Sequence, residues 1–378
     1  MDEVYLSSKS NFNTENSKLS DKVNNLKVGI ICPSPKGKEI AVKLQNSFKG
    51  KLYIKESNVY KIYSYTNVDN SEVKEEYYNG ITSLNDVAKD AIETVEGIIF
   101  ISSTGIAVRA IAPFIKGKDK DPGVVVADLA NKYAISLLSG HLGGGNELAL
   151  KAADILGCMP IITTATDNLG IISPDMIAKE NNLAIEDLKK AKYISSLLVD
   201  GKSVGIKDDF GIINITKGYR KIDELKENSI WITNKLEYIE ANTNLDFSKV
   251  LKLVKKNVVL GIGCRKGTGF EKLYDFIESS LKKYNYDIKS VTKIVSICVK
   301  KHEEGIIKLA EKLDCEFQTF EIEEVKKVQH KYEKSEFVLK TLGVTGVCEP
   351  CVDLAGANVV INKIKHKGMT LSIGVLNI

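Results

Sequence analysis

Short runs rich in Val and Ile, separated by longer amphipathic stretches, organise most of this chain. The first run, Leu26–Cys32, stops at Pro33, which has no N–H to continue a ladder. A helical pattern follows from about Gly37 to Phe48, with apolar residues at Ile40, Val42, Leu44 and Phe48. A polar, Tyr-rich stretch then leads to a helix over Asp86–Val95 and an apolar strand over Gly97–Ile101. Further strands are predicted at Val124–Ala127, Ala134–Leu138 and Ile161–Thr164, with a helix at Leu148–Leu156. Alternation of this kind marks βαβ units.

The pattern loosens between about Asp167 and Lys256. Helices are expected at Pro174–Glu180 and Ile185–Ala191, and short strands at Ser203–Ile206, Gly211–Ile215 and Ser229–Thr233. Lys252, Lys255 and Lys256 precede a fresh apolar strand beginning at Val258, where a domain boundary is placed. Beyond it the alternation returns. Helices are expected at Phe270–Leu281, Glu303–Leu313 and Ser335–Leu342, and strands at Ile294–Val299, Val359–Ile361 and Thr370–Val375. The predicted fold is α/β throughout: an N-terminal α/β domain over 26–166, a smaller middle α/β region over 167–256 and a C-terminal α/β domain over 257–378. Residues 1–25, rich in Ser, Asn, Lys and Asp, are expected to be a disordered leader, with neither a secretory signal nor a transit peptide.

At 378 residues the chain exceeds one ordinary core. Its 43% hydrophobic and 27% charged residues are those of a soluble globular protein. A net charge of +4 is too small at this length for a general nucleic-acid role. No run approaches the roughly twenty apolar residues that cross a bilayer, so no membrane role is expected. Seven scattered cysteines, an odd number, fit reduced thiols and a cytoplasmic location.

Chemistry concentrates at strand-to-helix turns. Ser139-Gly140-His141-Leu142-Gly143-Gly144-Gly145-Asn146-Glu147 follows one predicted strand and opens a helix. Asn146 is a candidate N-cap, Glu147 favours the positive helix end and Gly157 a C-terminal stop. The amides of Gly143, Gly144 and Gly145 can approach an anion or a developing oxyanion; the plain alternative is a tight turn with an incidental histidine. Ser103 and Thr104, with Arg109, form a second such turn, suited to carboxylates or to ordinary capping. Asp128 ends an apolar strand, where α/β sheets place ligand crevices.

Gly261–Thr268 tempts two nucleotide readings, and both fail. Lys266 occupies the third glycine position of the dinucleotide fingerprint, and it precedes Gly267 rather than standing between Gly and Ser/Thr as a P-loop requires. A basic Gly-rich turn carrying Arg265 and Lys266 remains. Cys348-Glu349-Pro350-Cys351 is a single CxxC without companion ligands, so no metal site is predicted. His302, His330 and His366 stand in charged stretches and read as solvated surface.

Taken in order, Ser102–Arg109, Asp128–Leu138, Gly140–Glu147, Thr163–Asp167, Gly261–Thr268, Ser335–Phe337 and Gly346–Glu349 resemble the CbiG family, the cobalt-precorrin-5A hydrolases of anaerobic cobalamin synthesis. The resemblance runs from about residue 26 to the end. It implies hydrolysis of a δ-lactone on a cobalt-corrinoid substrate with loss of acetaldehyde, no cofactor of the protein's own because cobalt arrives inside the substrate, and contact with neighbouring pathway enzymes. That chemistry asks for a base, for which His141 is the candidate, oriented by Asp128 or Glu147. It also asks for oxyanion donors, Gly143–Gly145, and for cations for the macrocycle's carboxylates, Arg109, Arg265 and Lys266, beside Ser103 and Thr104. His141 as an axial cobalt ligand is the alternative role, and a non-catalytic corrinoid carrier the alternative function.

Overall fold

The computed structural model describes residues 26–65, 73–76, 81, 83–238 and 245–377; the expected leader over 1–25 and part of the Tyr-rich stretch lie outside them. The chain divides into two compact units, Met1–Gly170 and Ile171–Ile378. None of the described helices is long and apolar enough to cross a membrane.

In the first unit the strands are β1 (Lys27–Cys32), β2 (Lys49–Glu56), β3 (Val59–Tyr65), β4 (Val73–Glu76), β5 (Gly97–Ile101), β6 (Gly123–Ala127), β7 (Tyr133–Leu138) and β8 (Met159–Ile161). Its helices are α1 (Lys38–Gln45), α2 (Leu84–Thr94), α3 (Thr104–Ile111), α4 (Gly145–Leu156) and the single turn α5 (Ala165–Asn168). All eight strands form one sheet in the order β4-β3-β2-β1-β5-β6-β7-β8. Strands β5 and β6 are buried at every position, which is why they read as unbroken apolar runs rather than alternating ones. The Tyr-rich stretch turned out to hold β2 and β3, an antiparallel pair. Its mixed apolar and polar positions hid these strands from a reading by apolar runs.

One reversal decides where the functional turns lie. Strands β1, β5 and β6 are parallel, but β7 returns antiparallel to β6 through a tight turn over 128–132. The helix α4 then crosses to β8, which lies parallel to β7. The carboxyl ends of β7 and β8 therefore share the sheet edge at which β5 and β6 begin. At that edge Gly123 N donates to Gly143 O (2.9 Å).

In the second unit, β9 (Leu183–Ile185), β10 (Val204–Asp208), β11 (Tyr219–Lys221), β12 (Ser229–Thr233) and β13 (Val250–Lys255) form a sheet in the order β11-β10-β12-β13-β9, with α6 (Pro174–Glu180) and α7 (Leu188–Val199). The expected helix at Ile185–Ala191 is corrected: Leu183–Ile185 is a strand, and Asp187 caps a helix that begins at Leu188 by accepting from Lys189 N. Gly211–Ile215 is not a strand, because Asp208 folds it back by accepting from Phe210 N and Ile213 N.

The last sheet, β16-β15-β14-β18-β17, comprises β14 (Val258–Cys264), β15 (Val291–Ile297), β16 (Glu316–Phe320), β17 (Ala357–His366) and β18 (Met369–Leu376). Helices α8 (Phe270–Lys283) and α9 (Glu304–Leu313) contribute to one apolar cluster of this region, and α10 (Ile322–Val328), α11 (Glu336–Leu342) and α12 (Cys348–Leu354) to another. Within the second unit the two sheets are joined by Lys252 on β13, whose buried ammonium meets Asp287 Oδ2 at 2.6 Å and Leu236 O at 3.0 Å. Asn234 and Asn257 add a buried amide pair, Nδ2 to Oδ1, at 3.0 Å.

Candidate active site

His141 stands in the turn between β7 and α4. The turn is tight because Gly143 lies against Gly123: a Cβ on Gly143 would sit 2.5 Å from the Ser139 side chain and 2.9 Å from Gly123 N. Gly144 takes the left-handed conformation at φ 76° as the residue capping α4. The glycines thus serve close backbone approach first. Gly144 N donates to His141 O and Gly145 N to Ser139 O, each at 3.0 Å. Two of the three expected oxyanion donors are therefore engaged in closing the turn, which leaves Gly143 of the three.

The helix begins at Gly145, so Asn146 lies inside its first turn rather than at the cap. Its buried side chain reaches sideways. Nδ2 donates to Thr164 Oγ1 (3.0 Å) and Asp167 Oδ2 (2.9 Å), while Oδ1 accepts from Ser136 Oγ (2.7 Å). The same Asp167 oxygen lies 3.0 Å from His141 Nε2, and Thr166 Oγ1 is 3.4 Å from that nitrogen. The His141 side chain is 14% exposed and that of Asp167 42%, so a largely buried imidazole meets a more exposed carboxylate. A neutral imidazole that gives its Nε2 proton to Asp167 keeps its basic lone pair on Nδ1. Such a pair can accept a proton from water and hold the resulting imidazolium.

The carboxylate beside His141 is thus Asp167, not Asp128. Asp128 folds its own turn, accepting from Ala130 N, Lys132 N and Tyr133 N. It sits at the other end of β6, roughly 15 Å away for a five-residue strand. Glu147 is half-buried in the first turn of α4. Ser103 and Thr104 are exposed at the carboxyl end of β5, on Asp128's edge of the sheet. Arg109 Nη1 turns back to Gly105 O at 3.2 Å, toward that same edge. The expected residues of the first unit are therefore split between two edges.

In the second unit Arg265 and Lys266 are exposed on the turn after β14. Glu303 shapes this turn by accepting from Gly267 N (2.6 Å) and Lys300 Nζ (2.9 Å). Burial works to raise its carboxyl, but the Lys300 and Gly267 hydrogen bonds outweigh it and hold the group below its usual value. Cys348 and Cys351 are buried on α12; burial pushes the Cys348 thiol up to about 12 and raises Cys351 as well, so neither offers a ready thiolate. A cavity of about 750 Å³ in this unit is lined by Glu186, Glu237, Asp275, Glu278 and Asp287 against Lys252 and Lys282. That excess of negative charge disfavours a polycarboxylate ligand.

Three family models match the chain: cobalamin synthesis G N-terminal over residues 86–167, cobalamin biosynthesis central region over 172–242 and cobalamin synthesis G C-terminus over 258–374. The chain is 35% identical over 298 residues to the cobalt-precorrin-5A hydrolase of Salmonella typhimurium, covering 76% of this chain and 84% of that protein. It is 28% identical over 362 residues to the cobalt-precorrin-5A hydrolase of Priestia megaterium, covering 92% and 93%. Among solved structures, a cobalamin biosynthesis protein G homolog from Sulfolobus solfataricus matches with a TM-score of 0.37 at 22% identity, over 93% of this chain and 99% of that one. The chain belongs to the CbiG, or cobalamin synthesis G, family.

Proposed function

We propose that this protein hydrolyses cobalt-precorrin-5A to cobalt-precorrin-5B and acetaldehyde. The observation that carries the reading is the His141–Asp167 pair at 3.0 Å, set in a glycine-built turn of a CbiG-family chain. His141 takes a proton from water as its oxygen attacks the lactone carbonyl. Asp167 stabilises the imidazolium formed at that moment. The Gly143 amide is a donor for the charge developing on the carbonyl oxygen. Collapse of the adduct breaks the acyl C–O bond, leaving a carboxylate and an alkoxide. The alkoxide closes to an aldehyde as the carbon–carbon bond joining the two-carbon unit to the macrocycle breaks, and the macrocycle carbon that keeps the electron pair takes the proton held by His141.

Arg265 and Lys266, exposed on a turn of the second unit, are cations of the kind that suits carboxylates. The cobalt is substrate, and the protein's own residues need no resident cofactor for these proton transfers. The test is anaerobic incubation of purified protein with cobalt-precorrin-5A, read by mass spectrometry. One acetaldehyde per macrocycle is expected. Binding seen in the visible spectrum without acetaldehyde would make the protein a carrier instead. A His141→Ala variant with full turnover would remove His141 as the base.

A further inference from the structure

We infer that Asn146 is a positioning residue, fixing the Asp167 carboxylate and through it the ring nitrogen with which His141 works. The inference rests on the hydrolase reading for its kinetic consequence, while the geometry concerns the protein alone. Asn146 is 8% exposed and makes three side-chain hydrogen bonds, to Ser136, Thr164 and Asp167. A buried primary amide has two donor protons and one acceptor oxygen. The Asp167 carboxylate only accepts, so it selects the orientation that turns Nδ2 toward it, and the Ser136 and Thr164 hydroxyls suit that orientation.

That orientation aims a donor at the same Asp167 oxygen that meets His141. With one N–H from Asn146 already on it, this oxygen is held in place for the imidazole. The neighbouring sequence is shaped to permit this. A side chain at Gly140 would place its Cβ 2.6 Å from Asn146 Oδ1 and 3.1 Å from Nδ2, so Gly140 clears the space the amide fills. Thr164 and Asp167 come from the segment after β8, brought beside the α4 turn by the β7–α4–β8 crossover. Two separated sequence segments, Gly140–Glu147 and Thr163–Asp167, are joined through this amide and through the contacts of His141 with Thr166 and Asp167.

The test uses the full chain labelled with ¹⁵N at its four histidines, His141 being assigned by loss of its signals in His141→Gln. In the wild type the neutral Nε2–H form is expected. Asn146→Asp keeps the shape and the acceptor for Ser136 but sets a carboxylate against Asp167. Glu147, in the first turn of α4, and Asp121, whose carbonyl lies against Gly143, are unchanged. The added negative charge favours a second ring proton, so His141 is expected as imidazolium at a pH where the wild type is neutral. In Asn146→Ala, kcat for acetaldehyde release is expected to fall about 10- to 100-fold with KM within about threefold, the size typical of losing a group that orients a working side chain.

Two results would overturn the inference: a wild-type Nδ1–H form, or kcat within twofold of wild type in both variants with unchanged His141 spectra. In the second case a fall in melting temperature would mark the amide as purely structural. Absence of acetaldehyde from the wild type would sink the hydrolase reading, and the nitrogen spectra would still decide the role of Asn146.

Discussion

Asp167→Asn separates the charge of the carboxylate from its shape. The native oxygen accepts from Asn146 Nδ2 at 2.9 Å and faces His141 Nε2 at 3.0 Å. An asparagine carbonyl in that place keeps both hydrogen bonds, so the turn and the ring orientation are retained. What is lost is the attraction between a full negative charge and the imidazolium, which exists only once His141 has taken its proton. Two unit charges at this separation attract by about 1.4 kcal/mol at the dielectric of water and about 5.5 kcal/mol at an effective dielectric of about 20. The Asp167 side chain is 42% exposed, which puts the pair nearer the watery limit. A loss of about 1.5–3 kcal/mol follows, or about 10- to 150-fold in rate. Because the interaction strengthens only as the proton moves, the loss belongs in kcat, with KM nearly unchanged. Steady-state acetaldehyde release from cobalt-precorrin-5A measures both. An Asp167→Asn enzyme that keeps more than half of wild-type kcat refutes the assignment of Asp167 as the charge behind His141.

Ser139 is a non-glycine residue at φ 52° immediately before the Gly140–His141 turn. Ser139→Gly should raise stability by about 0.5–1 kcal/mol, relief of left-handed strain outweighing glycine's chain entropy, read as a higher denaturation midpoint. Lys252→Met leaves Asp287 buried without its cation and should cost about 3–5 kcal/mol, whereas Lys252→Met with Asp287→Leu should recover much of it. Denaturation followed by the fluorescence of Trp231, the single tryptophan, reports on this sheet. Glu303 has its folded value held below the usual one near 4.5, so it stabilises the fold above that pH and the contribution is lost as pH falls through the lowered value. In Glu303→Gln the acid limb of unfolding over that window should be shallower; an unchanged limb would show that the Lys300–Gly267 clamp contributes nothing.

The alternation of Val- and Ile-rich runs with amphipathic stretches revealed the α/β class because β1, β5, β6, β12 and β14 are almost wholly buried. The same rule missed β2, β3, β4, β9, β11, β13 and β16. Strand β11 has only three residues, two of them exposed, and β13 carries Lys252 in its middle, a charge whose partner Asp287 is 35 residues away in sequence. Nothing local in Val250–Lys255 announces that its lysine is neutralised inside the protein. The Gly211–Ile215 error is the converse case: an apolar run with strand composition was bent away by the carboxylate of Asp208.

The candidate site was half legible for a reason that lies in topology. His141 stood out as a candidate because loops on α/β scaffolds often carry functional residues and it is a histidine in a glycine-rich strand-to-helix turn. Its partner was misassigned because Asp128 looked like a strand-end carboxylate on the functional edge, which it would be if β6 and β7 were parallel. The turn over 128–132 is too short for a crossover helix, so β7 must run antiparallel, and the reversal puts Asp128 and His141 at opposite ends of the sheet. A strand–helix–strand crossover, by contrast, sets the carboxyl ends of its two strands side by side. Loop length before β7 and helix length after it were both present in the sequence, and together they select Thr163–Asp167 as the segment to search. The glycines needed the opposite correction. A run of three suggests amides left bare for an anion, but Gly143 packs against Gly123, while Gly144 and Gly145 donate to His141 O and Ser139 O. Their first service is to fold the turn closely enough that Asn146, Asp167 and His141 meet.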